Sequence, residues 1–109
     1  MSITKTKQEA EAIKIEVKEA ERPVGRVFLY IIKNDLHERP YGLLEDLYVE
    51  EAKRGQGIGK KLFLVALDEA KKYNCYKIIA QSRHERRAVH EFYKKNGLRD
   101  YGKNFRMDL

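Results

Sequence analysis

The sequence predicts a mixed β-sheet with helices against it, an α/β sandwich in the order β-β-β-α-β-α-β-β. Three observations predict it. Short runs in which apolar and polar residues alternate occur towards both ends of the chain, the period-two signature of half-buried strands. Two stretches in the second half carry apolar residues at helical spacing instead. The first of these lies between two strand-like runs, and a β-α-β unit demands a right-handed crossover and a parallel pair. At 109 residues the chain is sized for a single domain, 1–109, without room for a second core.

Each element has its own signal. Residues 12–20, AIKIEVKEA, alternate and read as a strand. Turn chemistry in ERPVG leads to RVFLYIIK, residues 26–33, rich in β-branched and aromatic side chains. The short link makes these two an antiparallel hairpin. NDLHERPYG reads as a loop punctuated by Pro40 and Gly42, and LLEDLYV, residues 43–49, as the third strand. Beyond a run of glycines, Ile58, Leu62, Val65 or Ala66, and Ala70 share one helical face with Phe63 alongside, and Asn74 can close that helix in a left-handed turn. YKIIAQS, residues 76–82, is the fourth strand. Ser82 and Glu85 stand at capping-box spacing, which predicts a second helix starting there. Ala88, Val89, Phe92 and Tyr93 form its i,i+4 pairs, and Asn96-Gly97 stop it. LRDYG and FRMDL read as two last strands joined at Gly102-Lys103-Asn104.

Composition narrows the function classes. Hydrophobic residues make up 42% and charged residues 37%, too apolar a mixture for a disordered chain. No apolar run reaches membrane-spanning length, and the N-terminal stretch lacks a signal-peptide core. Cys75 is the one cysteine, which excludes an intrachain disulfide and thiolate-rich zinc sites and makes a reducing cytoplasm the expected compartment. It reads as a small buried hydrophobe rather than a nucleophile. The net charge of +6 attracts anions. The basic residues are scattered and come with no aromatic-basic recognition motif, so nucleic-acid binding has little support.

The chemistry-bearing stretch is EEAKRGQGIGKKL, residues 50–62. A helix that begins near Gly57, directly after a strand, offers unpaired N–H groups and the positive end of its dipole to an anion. Lys53, Arg54, Lys60 and Lys61 add charge. Two familiar phosphate loops fail on spacing. The NTPase loop needs G-x-x-x-x-G-K-[ST], whereas Gly55 to Gly59 is one residue short and Lys61 stands where the hydroxyl belongs. The dinucleotide fingerprint needs G-x-G-x-x-G, whereas GQGIG is G-x-G-x-G.

A third pattern fits. RGQGIG matches R-x-x-G-x-G and resembles the acetyl-CoA loop of the GNAT superfamily, the GCN5-related N-acetyltransferases. The stretch from LEDLYV to IIAQS is similar to that family's strand, pyrophosphate loop, helix and following strand, and AVHEFYKKNGL resembles its second signature. Together these cover about residues 43–98. Local likeness extends to the glucosamine-phosphate acetyltransferases, through LLEDLYV, NCYK and FYKKNG.

The resemblance implies a fold, a reaction and a site. The fold is the acyl-CoA N-acyltransferase fold lacking its usual N-terminal helices, since about ten residues precede the first strand. The reaction is direct transfer of an acetyl group from acetyl-CoA to a primary amine, with no metal. Leu47, Tyr48 and Val49 are expected to hold the pantetheine arm through their backbone. Arg54, Gly55, Gln56, Gly57, Ile58, Gly59 and Lys60 are expected to wrap the pyrophosphate. Tyr93 takes the place of the family's general acid, four residues before Gly97. Glu45 or Asp46 is the expected base; successive strand residues face opposite sides, so one of the two faces the acceptor. His84 and His90 are alternatives, and His37 offers only substrate contact. Arg86 stands where many members carry Asn, so its expected partner is a phosphate of coenzyme A. The rival readings are a non-catalytic acyl-CoA-binding module and a nucleic-acid-binding protein with the same fold. The uncovered sheet edge leads to the expectation of a homodimer.

Overall fold

A computed structural model describes residues 1–109. Its elements are β1 (Ala10–Glu19), β2 (Arg22–Ile32), β3 (Tyr41–Val49), α1 (Ile58–Lys72), β4 (Ile78–Ala80) and α2 (Arg87–Lys95), with a 3₁₀ turn at Glu51–Lys53 between β3 and α1. The sheet order is β1-β2-β3-β4. The chain divides into two compact units, Met1–Ile79 and Ala80–Leu109.

The first unit is built on an antiparallel hairpin, as the alternation predicts, but its turn takes in only the first residue of ERPVG. Glu19 pairs with Arg22, so the loop is Ala20 and Glu21, at φ 50° and 68°. Two consecutive positive φ values give the twist that fits a two-residue hairpin, although Asn-Gly suits that geometry better than Ala-Glu. Pro23 and Gly25 therefore fall inside β2. The proline is accommodated because Lys18 faces Pro23 while Val17 faces Gly25, which leaves Val24 as an extra, bulged residue.

α1 packs on β1, β2 and β3. Val24, Val27, Leu29 and Ile31 of β2 and Leu44 of β3 are buried, as are Leu62, Phe63, Ala66 and Ala70 of α1. Leu62, Ala66 and Ala70 repeat at i,i+4, and Val65 stays 43% exposed, so Ala66 is the inward member of that pair of candidates. Complete burial of each large aliphatic side chain contributes about 1.5–3 kcal/mol. Gly25 sets where α1 begins against the sheet: a Cβ there would lie 3.0 Å from Ile58 Cγ2 and 3.1 Å from Leu62 Cδ1.

The helix stops follow the sequence closely. Asn74 has φ 61°, its N–H donates to Lys71 O, and Cys75 N–H donates to Ala70 O. In the second unit Gly97 has φ 97°, its N–H donates to Lys94 O, and Leu98 N–H donates to Tyr93 O. Each end is a Schellman motif, which satisfies carbonyls the helix itself leaves unpaired.

β4 is shorter than residues 76–82. Tyr76 N–H donates to Pro40 O and Gly42 N–H to Lys77 O. The partners advance along both segments together, so β3 and β4 run parallel, as the β-α-β unit requires.

Two expectations fail in the second unit. The capping box does not form: α2 starts after Arg86 with no side-chain cap, and Ser82 Oγ is buried without a hydrogen-bond partner. Residues 83–86 make a turn of their own, with Arg86 N–H on Arg83 O and His90 Nε2 2.8 Å from that same carbonyl oxygen. Helical bonding begins only when Val89 and His90 N–H reach Arg86 O. LRDYG and FRMDL form no strands; residues 98–109 carry no regular structure, and Tyr101, Phe105, Met107 and Leu109 are exposed. An alternating pentapeptide becomes a strand only where a neighbour offers its edge, and the sheet's four strands do not include these segments.

Candidate functional site

The third strand does not run straight through its acidic pair. Arg26 faces Tyr48 and Phe28 faces Glu45, so one residue of β2 spans the two residues Asp46 and Leu47 of β3. Asp46 is the pivot, at φ 55°. This bulge breaks the in-out alternation: Glu45 and Asp46 are both exposed. The rule that successive strand residues face opposite sides therefore does not hold across this pair.

The two carboxylates then part company. Asp46 Oδ2 accepts from Arg26 Nε at 2.8 Å. The bond holds the Arg26 guanidinium above its ordinary pKa. That guanidinium lies 4.7 Å from the Tyr48 ring centroid, and the Arg54 guanidinium lies 5.8 Å from it. Arg54 Nε donates to Val49 O at 2.9 Å, so the first residue of RGQGIG is folded back onto the end of β3. Arg26, Asp46, Tyr48 and Arg54 together tie the bulge to the start of the glycine loop. Glu45 takes no part in that chain of contacts.

The loop itself is braced and open at once. Lys53 Nζ donates to Glu19 Oε1 at 2.7 Å, and Arg22 Nη1 holds both carboxylate oxygens of Glu50 at 2.8 and 2.6 Å. Beyond these braces Gly55 and Gly57 both adopt φ 81°, and a Cβ on either would meet nothing within 4 Å. Glycine is needed here for its left-handed backbone and not for packing within the chain. Gly57 is the N-cap of α1 and supplies no side-chain acceptor. The first bond of the helix runs from Lys61 N–H to Gly57 O at 3.0 Å, so the amides of Ile58, Gly59 and Lys60 lie ahead of the intrahelical ladder. Gln56 and Lys60 are exposed beside them, and Lys61 follows on the first turn.

In the second unit Tyr93 is the buried residue of α2. Burial raises its phenol above the ordinary value of 10.0, and the positive charge of Arg86 works in the opposite direction. Phe92, expected as core, is half-buried instead. His90 spends a ring nitrogen on Arg83 O, a packing role, and His84 is exposed in the preceding turn. In the first unit Cys75, expected to be buried, is only half-buried, and desolvation raises its thiol. His37 lies against the Tyr76 ring, centroids 4.3 Å apart.

Sequence reasoning missed Arg26 and the bulge. Arg26 had no local signal. The bulge had one: in LLEDLYV two acidic residues stand side by side within an otherwise apolar strand.

A parallel β-α-β unit with a bulged first strand and a glycine-lined helix start defines an α/β protein with free amide donors at the end of its third strand. The Acetyltransferase (GNAT) family model matches residues 3–98, and the chain belongs to that family. It is 34% identical over 71 residues to a glucosamine 6-phosphate N-acetyltransferase of Trypanosoma brucei brucei, covering 65% of this chain and 46% of that relative. The chain thus spans about half the length of the curated relative it matches. Among solved structures, it superposes on an acetyltransferase from Trypanosoma brucei with a TM-score of 0.79 and 30% identity, over 90% of this chain and 69% of the other. A provisionally assigned acetyltransferase from Agrobacterium tumefaciens strain C58 gives a TM-score of 0.84 at 29% identity, again over 90% and 69% of the two chains.

Proposed function

We propose that the chain transfers an acetyl group from acetyl-CoA to a primary amine. One observation carries this reading: the open cradle at Gly55 and Gly57, where a Cβ would meet nothing, set on the free amides of a helix start. Such a cradle fits a pyrophosphate, because amide donors and the helix dipole favour anions and glycine lets oxygen approach the backbone. Membership of the acetyltransferase family supports coenzyme A as the source of that pyrophosphate.

When bound, acetyl-CoA supplies the acetyl thioester. Backbone groups of Leu47, Tyr48 and Val49 hold its arm as an added strand would. The amides of Gly55 to Lys60 take the pyrophosphate, with the Gln56 and Lys60 side chains at the rim. Glu45, exposed and outside the Arg26 network, accepts the proton that the attacking amine must lose, directly or through water. Asp46 keeps the bulge in place. A backbone N–H near Val49 donates to the oxyanion that develops on the acetyl carbonyl. Tyr93 gives its proton to the departing sulfur; burial keeps that phenol protonated across the neutral range. Arg86 offers charge to a phosphate.

The relative's name supports an amino sugar phosphate as the first acceptor to try. A reducing compartment is consistent with the one, free Cys75. The unpaired outer edge of β1 supports a working unit of two copies. Turnover decides the main point. Purified chain, acetyl-CoA and a panel of amines that includes glucosamine 6-phosphate are followed by release of free thiol. Amine-dependent release is expected. Coenzyme A binding by calorimetry, with no release across the panel, would leave a binding module and refute the enzyme.

A further inference from the structure

β1 is an outer strand of the sheet and runs ten residues, Ala10–Glu19. Edges of that length are usually blunted by a proline, a bulge or an inward-pointing charge. Here the extra residue of the hairpin bulge and the proline both belong to β2. The centre of β1 also lacks a charge on its inner face: Ile13 and Ile15 pair with Leu29 and Val27 of the core, and Val17 continues the row. All three stay half-buried. The outer face carries Lys14 and Glu16, opposite Phe28 and Arg26, and they form an ion pair at 3.5 Å along the strand.

We infer that two copies pair antiparallel through β1, about a two-fold axis at Ile15. In this register Ile15 meets the partner's Ile15 and Ile13 meets the partner's Val17 on the inner face. On the outer face Lys14 meets the partner's Glu16, and by symmetry Glu16 meets the partner's Lys14. The four charges then alternate in sign around the axis. A slip of one residue in either strand brings apolar residues opposite charged ones, because side chains alternate between faces. Moving the axis to Lys14 or to Glu16 sets like charges against each other. At the ends Glu11 meets the partner's Glu19, a like-charge contact eased by Lys53, which already pairs with Glu19. Among registers centred on Lys14, Ile15 or Glu16, the Ile15 axis is the one that matches both faces across residues 13–17. The inference rests on the two-copy reading above and is independent of acetyl transfer.

Charge reversal in the full chain tests it by sedimentation at micromolar concentration. Wild type is expected to be a dimer. Lys14→Glu and Glu16→Lys each set like charges in both symmetric pairs, and each should weaken the dimer about tenfold or more. Mixing the two weakened variants restores opposite charges in every pair, so a mixed dimer should form. Amide exchange gives a readout that needs no second variant: the outer amides of residues 11–19 should be slow in wild type and fast in Lys14→Glu. A monomeric wild type overturns the two-copy reading, whatever the acetylation assay gives. A dimer that ignores both reversals, or shows no protection along residues 11–19, overturns the β1 interface. Variants that weaken but fail to rescue each other overturn the register.

Discussion

Replacing Gly57 separates two reasons a glycine can be needed. One is conformational, since φ is 81°, and the other is steric, since a ligand must come close. Within the chain only the first applies, because a Cβ there would meet nothing within 4 Å. Gly57→Ala should therefore lose only the left-handed backbone cost, about 1–2 kcal/mol, which for a chain of this size lowers Tm by roughly 4–8 °C per kcal/mol. Asparagine tolerates positive φ, so Gly57→Asn should keep most of that stability while carrying a larger side chain into the cradle. Coenzyme A affinity should fall in both. Loss of one charge-assisted bond is worth about 1.5–3 kcal/mol, or one to two orders of magnitude in Kd. Gly97→Ala is the control: it has the same kind of backbone (φ 97°) and open surroundings, but lies at the end of α2, so Tm should fall and affinity should not. Calorimetry for Kd and thermal melts for Tm read both effects. A folded Gly57→Asn that binds coenzyme A as tightly as wild type would refute the cradle.

Other outcomes follow from the same geometry. Tyr93→Phe should lower kcat by about 10²-fold, the low end for general acid catalysis, with coenzyme A affinity nearly unchanged in calorimetry. The same variant bears on alkaline stability. The folded-state phenol titrates above 10.0, so above that pH the unfolded chain releases a proton that the folded chain retains, and stability falls as pH rises; denaturant melts should show Tyr93→Phe losing less stability there. Glu45→Gln should shift the acidic limb of the rate profile, whereas Asp46→Asn should raise KM for acetyl-CoA by loosening the bulge; the opposite assignment in pH-rate measurements would return the base role to Asp46. Gly25→Ala should cost about 1–3 kcal/mol in denaturant melts, because its methyl group would press on Ile58 and Leu62 at 3.0 and 3.1 Å.

The parts of the fold that were legible in the sequence are those decided locally. The helical face of Leu62, Ala66 and Ala70 and the stops at Asn74 and Gly97 each depend on a few neighbouring residues, and all stand in the structure. The elements that went astray depend on what lies across the sheet. Ala20 and Glu21 are poor turn residues that the pairing of Glu19 with Arg22 forces into a turn. FRMDL has a strand's pattern, but a pattern cannot supply the neighbour that strand formation requires. Ser82 and Glu85 had capping-box spacing, and the turn closed by Arg86 on Arg83 O took up the chain before a helix could start there.

The candidate site divides along the same line. RGQGIG was readable because a helix start and its glycines are contiguous, and the backbone does the binding. The acidic pair was not, because its fate hangs on Arg26, twenty residues upstream of Asp46 and brought beside it only by strand pairing. Alternation made Glu45 and Asp46 rivals for one position. The bulge makes them exposed neighbours with different duties: Asp46 is bonded to Arg26, and Glu45 is left outside that network. A base must be able to give up and regain a proton, so a carboxylate already committed to a guanidinium is the poorer candidate. The extra residue in β3 turns two interchangeable candidates into a positioning residue and a proposed base.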